Sequence, residues 1–136
     1  MPSPLNVPLP AYATGQTSTV ATEVVIATSA AVIVDTPQNQ VVLKWAADIA
    51  FGADATAATF KLKRGTTTSG TAITLGTTWG PATVTGSTRA IFAGAGIDSP
   101  GVVHGQTYVL TATLTANDST TTYDNVYLEA VVTART

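Results

Sequence analysis

From Val41 to Phe51 hydrophobic and polar positions alternate. Leu43, Trp45, Ala47, Ile49 and Phe51 fall on one side, and Val42, Lys44, Ala46, Asp48 and Ala50 on the other. A period of two is that of a half-buried β-strand, whose successive side chains point to opposite faces of a sheet. The alternation returns at Thr59–Arg64, where Phe60, Leu62 and Arg64 oppose Thr59, Lys61 and Lys63. It returns again at Gln106–Ala116, where Tyr108, Leu110, Ala112 and Leu114 share a face. It closes the chain at Tyr123–Ala134, with Val126, Leu128, Ala130, Val132 and Ala134 opposite Tyr123, Asn125, Tyr127, Glu129, Val131 and Thr133. Shorter apolar or β-branched runs predict strands at Val24–Ile26, Val32–Val34, Thr71–Leu75 and Arg89–Ala93. The small residues Thr28–Ala31 allow either two short strands or one bent strand at the first two of these.

Turn formers separate the runs. They are Asp35–Asn39 around Pro37, Gly52–Asp54, Gly65–Gly70, Gly76–Gly86 around Trp79-Gly80-Pro81, Gly94–Gly101, and Asn117–Thr121 as a hairpin loop. The pattern predicts an all-β chain, a single jelly-roll-like β-sandwich of about eight antiparallel strands, and no helix.

The first 21 residues follow a different pattern. Pro2, Pro4, Pro8 and Pro10 exclude a helix and favour extended, polyproline-like chain. The sequence therefore divides into an extended N-terminal arm, 1–21, and a β-sandwich domain, 22–136. Fully extended, the arm reaches about 65 Å at roughly 3.3 Å per residue. Ordering it costs about 1–2 kcal/mol per residue, less what proline has already restricted. Leu5, Val7, Leu9 and Tyr12 alternate with the prolines and are the candidate anchors by which the arm docks on a partner.

Composition narrows the function classes. Charged residues are 10% of the chain and net charge is −2. Lys61, Lys63 and Arg64 are the one basic group, read as a solvated strand face, so nucleic acid is not an expected partner. No apolar run reaches the ~18 residues of a membrane-spanning helix, and no secretory leader pattern opens the chain. The absence of cysteine excludes disulfides and thiolate metal sites.

The candidate chemistry is sparse. His104 is the single histidine, and a triad would need it beside Ser99 with Asp98 as orienter, in a stretch without a nucleophile-elbow sequence. Asp98 and His104 read as turn residues whose replacement leaves the protein's role intact. Asn117-Asp118-Ser119 with Asp124 reads as a solvated loop rather than a calcium site. Gly65 and Gly70 have the spacing of a phosphate-binding loop, but Thr71-Ala72 stands where Lys-Ser/Thr is required, and a strand follows. No catalytic residue, cofactor or metal is expected. Trp45 lies on a core face. Trp79 either caps one end of the core or offers a surface contact.

Lys61-Leu62-Lys63-Arg64-Gly65-Thr66-Thr67-Thr68-Ser69-Gly70-Thr71 forms a strand and threonine-rich loop. With the Asp98–Gly101 turn, the Gln106–Leu110 strand and the last strand at Val126–Val132, it resembles tailed-bacteriophage virion proteins with a tumour-necrosis-factor-like jelly roll. The resemblance spans roughly residues 22–134. It implies a non-enzymatic capsid decoration (cement) protein, homotrimeric and bound to the major capsid protein on the outer capsid surface of the virion. There the arm would tie neighbouring subunits together. The alternative it implies is a receptor- or carbohydrate-binding tip of a phage head or tail fibre.

Overall fold

The computed structural model describes residues 16–18, 23–53, 57–73, 78–83, 89–114 and 118–134. They form ten strands: β1 (Gln16–Ser18), β2 (Val24–Thr28), β3 (Val32–Val34), β4 (Gln40–Ala50), β5 (Ala57–Arg64), β6 (Thr78–Thr83), β7 (Arg89–Asp98), β8 (Val103–Gln106), β9 (Tyr108–Leu114) and β10 (Asp118–Thr133). One four-stranded sheet has the order β1-β10-β4-β7, the other β2-β9-β5-β6, and β3 pairs with β8 in a small third sheet. All pairings are antiparallel. The chain passes back and forth between the two large sheets, which is the winding of a jelly roll.

The alternation read from the sequence sets what is buried. Val41, Leu43, Trp45, Ala47 and Ile49 of β4 are buried and face Ala58, Phe60 and Leu62 of β5 and Tyr108, Leu110, Ala112 and Leu114 of β9. At the centre the Phe60 ring lies 4.8 Å from Trp45 and 5.2 Å from Phe92, centroid to centroid. Trp45 is core, as its position on the strand predicts. β7 supplies glycine where β4 is bulkiest: Gly94 stands opposite Trp45 and Gly96 opposite Leu43.

The structure revises the sequence reading in six places. Gln16–Ser18, inside the stretch assigned to the arm, pairs with β10 as an edge strand. Thr78–Thr83, read as loop, is β6, and it accommodates Pro81 because it lies at a sheet edge, where a missing N–H costs no ladder bond. Thr71–Leu75 forms no strand among its described residues; Ala72 makes a single bridge to Lys63. β7 runs through Gly94 and Gly96 to Asp98, where a turn is predicted. Of the stretch read as a hairpin loop, Asp118–Thr121 opens β10, which lies in the sheet opposite β9, and Asn117 lies outside the described residues. Finally, the register of β10 against β4 shifts between Tyr123 and Asn125, so Tyr123 turns inward and is fully buried. Burial pushes its phenol up to about 12.

Candidate interaction surface

The ionic side chains are built into the fold first. Arg64, at the end of β5, stands beside Tyr108 of β9. Arg64 donates from Nε to Oδ2 of Asp98 at 2.8 Å and from Nη2 to Oδ1 at 2.7 Å. The Tyr108 hydroxyl donates to Oδ2 at 2.8 Å. Asp98 is the last residue of β7, so this cluster clasps one large sheet to the other. Asp98 is fully buried, and the Arg64 side chain is 31% exposed. The hydrogen bond to Asp98 raises the Arg64 pKa, and burial raises that of Tyr108. Asp98 is therefore a buried anchor, and its reading as a dispensable turn residue is corrected.

Lys63 is likewise not a solvated base. Its Nζ donates to Glu23 Oε1 at 2.8 Å and to the Thr68 carbonyl, while the Thr111 hydroxyl donates to Glu23 Oε2. Burial works to raise the Glu23 pKa, but hydrogen bonds from Lys63 and Thr111 and the charges of Lys63 and Lys61 outweigh it, leaving the carboxyl below 4.5. The unfolded chain thus binds the proton first as pH falls. The stabilisation is complete above about pH 4.5 and is lost as pH drops through the folded-state value. Urea midpoints taken from pH 7 to pH 3 are expected to fall for the wild type and to fall less steeply for Glu23→Gln.

The threonine-rich signature is a structural turn. Gly65 has φ +107° and donates its N–H to the Thr107 carbonyl, and Arg64 N bonds back to Thr71 O at 2.7 Å. A Cβ on Gly70 would lie 1.9 Å from the Arg64 carbonyl oxygen. The two glycines serve this fold-back, which leaves no phosphate cradle.

The triad residues do not assemble. Asp98 faces Arg64 and Tyr108, Ser99 accepts a hydrogen bond from Gln40, and His104 is exposed on β8 opposite Ile33. Among the described residues no group of three or more His, Cys, Asp or Glu is placed to hold a metal. Asp124 pairs with the Arg89 guanidinium. Arg89 donates to Asp124 at 2.6 Å and to Asp48 at 2.8 Å. The Asp124 carboxyl is lowered, by a hydrogen bond from Thr122 and then by Arg89 against the opposing effect of burial. Asp118 is the first residue of β10.

The outer side of the β4 sheet is mixed: apolar and small residues toward β7, with Lys44, Asp48, Asn125 and Glu129 among them. On the outer side of the β4 sheet the register aligns Val131, Val42 and Ile97, then Tyr127, Ala46 and Ala93, then Asn125, Asp48 and Ile91. Ile91 is 74% exposed, and Ile33 and Val102 are exposed near the small sheet. Glu129 sits opposite Lys44 and accepts a hydrogen bond from Tyr127, which pushes that phenol up to about 12. Leu5, Val7, Leu9 and Tyr12 lie outside the described residues. Trp79 stands on β6 opposite Phe60 in the register. Sequence reasoning missed the β7 surface because Gly94–Asp98 carries the composition of a turn.

No protein-family model matches the chain, and no curated protein sequence matches it. Among solved structures, the infectious bursal disease virus VP2 subviral particle aligns with 96% of this chain at 13% identity and a TM-score of 0.51. The chain spans 33% of that protein's length. The sugar-binding C-terminal domain of EclA aligns with 98% of this chain and 81% of its own, at 10% identity and a TM-score of 0.35. The K1 cleaved adhesin domain of Lys-gingipain from Porphyromonas gingivalis aligns over 80% of this chain and 63% of its own, at 15% identity and a TM-score of 0.39. At these identities the VP2 likeness is one of fold.

Proposed function

We propose that this chain is a non-enzymatic structural protein of a virus particle, a decoration protein on the outer capsid surface that ties neighbouring subunits through its N-terminal arm. The observation that carries this reading is the division of labour among its polar groups. Arg64, Asp98 and Tyr108 clasp the sheets, Glu23 and Lys63 brace one outer face, and Arg89 locks Asp48 and Asp124. These groups maintain a rigid body, and the β7 side of the outer face, with Ile91 exposed beside Ala93 and Ala95, offers apolar contact. The VP2 likeness supports the same direction, since that protein forms a viral particle. Attachment is multivalent in this account: each copy adds weak contacts whose effective concentration is high once one has formed.

The test is a binding titration of the full chain on capsids stripped of it, beside glycan binding by the same protein. Saturable binding at a fixed number of sites per capsid is expected. Glycan binding without capsid binding would favour a fibre tip instead. Two truncations separate arm from body. Removing residues 1–15 or 1–19 is expected to weaken capsid binding equally. Only the longer deletion removes β1, with its pairings Gln16–Tyr123, Thr17–Thr122 and Ser18–Asp118. That deletion alone is expected to cost about 1–2 kcal/mol of stability, from three cross-strand pairs. Thermal melts of the two truncated chains check the difference.

A further inference from the structure

Among the described residues, four strand edges bound the two large sheets: β1 and β7 in one, β2 and β6 in the other. An edge presents unpaired backbone donors and acceptors, and proteins blunt it by shortness, bulges, proline or lysine. Three of these edges carry such a device. β1 has three residues and a register shift, β2 shifts register between Val25 and Ala27, and β6 carries Pro81 and a shift against β5. β7 carries none. Its ten residues run in unbroken register along β4, with no proline or lysine and with charges only at its two ends. Neither end charge guards the edge: Arg89 is drawn onto Asp48 and Asp124, and Asp98 turns into the clasp. Ile91, Ala93 and Ala95 are exposed, and the Phe92 ring is only half-buried.

We propose that β7 pairs antiparallel with β7 of a second copy about a two-fold axis at Ala93, joining two four-stranded sheets into one. A two-fold contact must be self-complementary, and residues directly opposite in an antiparallel pair share a face. With Ala93 opposite itself, Phe92 meets Gly94, Ile91 meets Ala95, and Ala90 meets Gly96. Ile91 and Phe92, the large apolar residues before the axis, each meet a small one after it, and only at the ends of the pair do two large side chains, Arg89 and Ile97, stand opposite. Centring the pair on Phe92 would set two rings against each other. The contact does not rest on the virion reading. A trimer of the kind implied by the resemblance would be joined by it, edge to edge, to a second trimer.

The chain has no cysteine of its own, so full-length Ala93→Cys reports the axis directly. Opposed Cβ atoms at about 4.5–5.5 Å approach the range a disulfide spans. At about 100 µM under mild oxidation, A93C is expected to form a disulfide dimer at least about tenfold faster than Ala46→Cys. Ala46 neighbours Ala93 on the same outer face but lies one strand in from the edge. Ala93→Lys, which sets two ammonium groups face to face, is expected to abolish wild-type self-association in sedimentation while leaving the melt of the exposed-site variant unchanged. Equal cross-linking of A93C and A46C would overturn the proposal, as would association indifferent to A93K. Loss of A93C cross-linking on deleting residues 1–15 would overturn it as well, by showing that the arm rather than the β7 edge holds the two copies together.

Discussion

Replacing Asp98 with Ala is expected to destabilise the fold by roughly 3–5 kcal/mol, the cost of breaking a buried ion pair from one side. Asp98 is fully buried and accepts hydrogen bonds from Arg64 at both carboxylate oxygens and from Tyr108. Without it the Tyr108 hydroxyl is left buried with no acceptor there, and the Arg64 guanidinium loses its counter-charge. Because the Arg64 side chain is 31% exposed, water relieves part of that charge and the loss belongs at the lower end of the range. Asp98→Asn keeps the shape and one acceptor but turns an amide N–H₂ toward guanidinium or phenol, so a smaller loss is expected. Urea denaturation at pH 7 measures both. A loss below about 1 kcal/mol for Asp98→Ala would mean that the clasp does not hold the sheets together.

Phe60→Ala is expected to cost about 3–5 kcal/mol, the usual range for removing a buried aromatic ring. Phe60 is 1% exposed and stacks at a tilt between Trp45, from the opposite sheet, and Phe92, at the β7 edge. The contacts add to the area term, since such ring pairs contribute about 0.5–1.5 kcal/mol beyond burial. The same variant frees Phe92 to move, so any self-association through β7 is expected to weaken with it. Denaturant midpoints and sedimentation on one preparation read both effects. A loss near that of an exposed substitution, about 0.5 kcal/mol, would place the core elsewhere.

The core was legible in the sequence because its strands alternate cleanly. Leu43 to Phe51, Phe60, Leu62 and Tyr108 to Leu114 all fall on the faces their period predicts. What escaped was decided by tertiary context. Gly94, Gly96 and the Asp-Ser-Pro that follows have turn chemistry, yet β4 provides a full ladder for β7 and its bulky Trp45 and Leu43 stand opposite those glycines. Pro81 argued against a strand, and β6 is one only because it is an edge. Tyr123 changed faces through an irregularity at Asp124 that no period can register. The clasp joins positions 34 and 10 residues from Asp98, and in the sequence its members read separately as a basic run, a turn acid and a core tyrosine. Of the proposed contact surface, the sequence displays the arm but not the β7 edge, because being an edge is a property of sheet order.

The direct measurement of the proposed function is a cryo-electron microscopy map of a virus particle that contains this chain. The account predicts density for the two four-stranded sheets on the outer face of the head, repeated at fixed positions of the capsid lattice, with residues 1–15 extended over neighbouring subunits. Density for this jelly roll at the end of a fibre, or its absence from the outer face of the head, would contradict it.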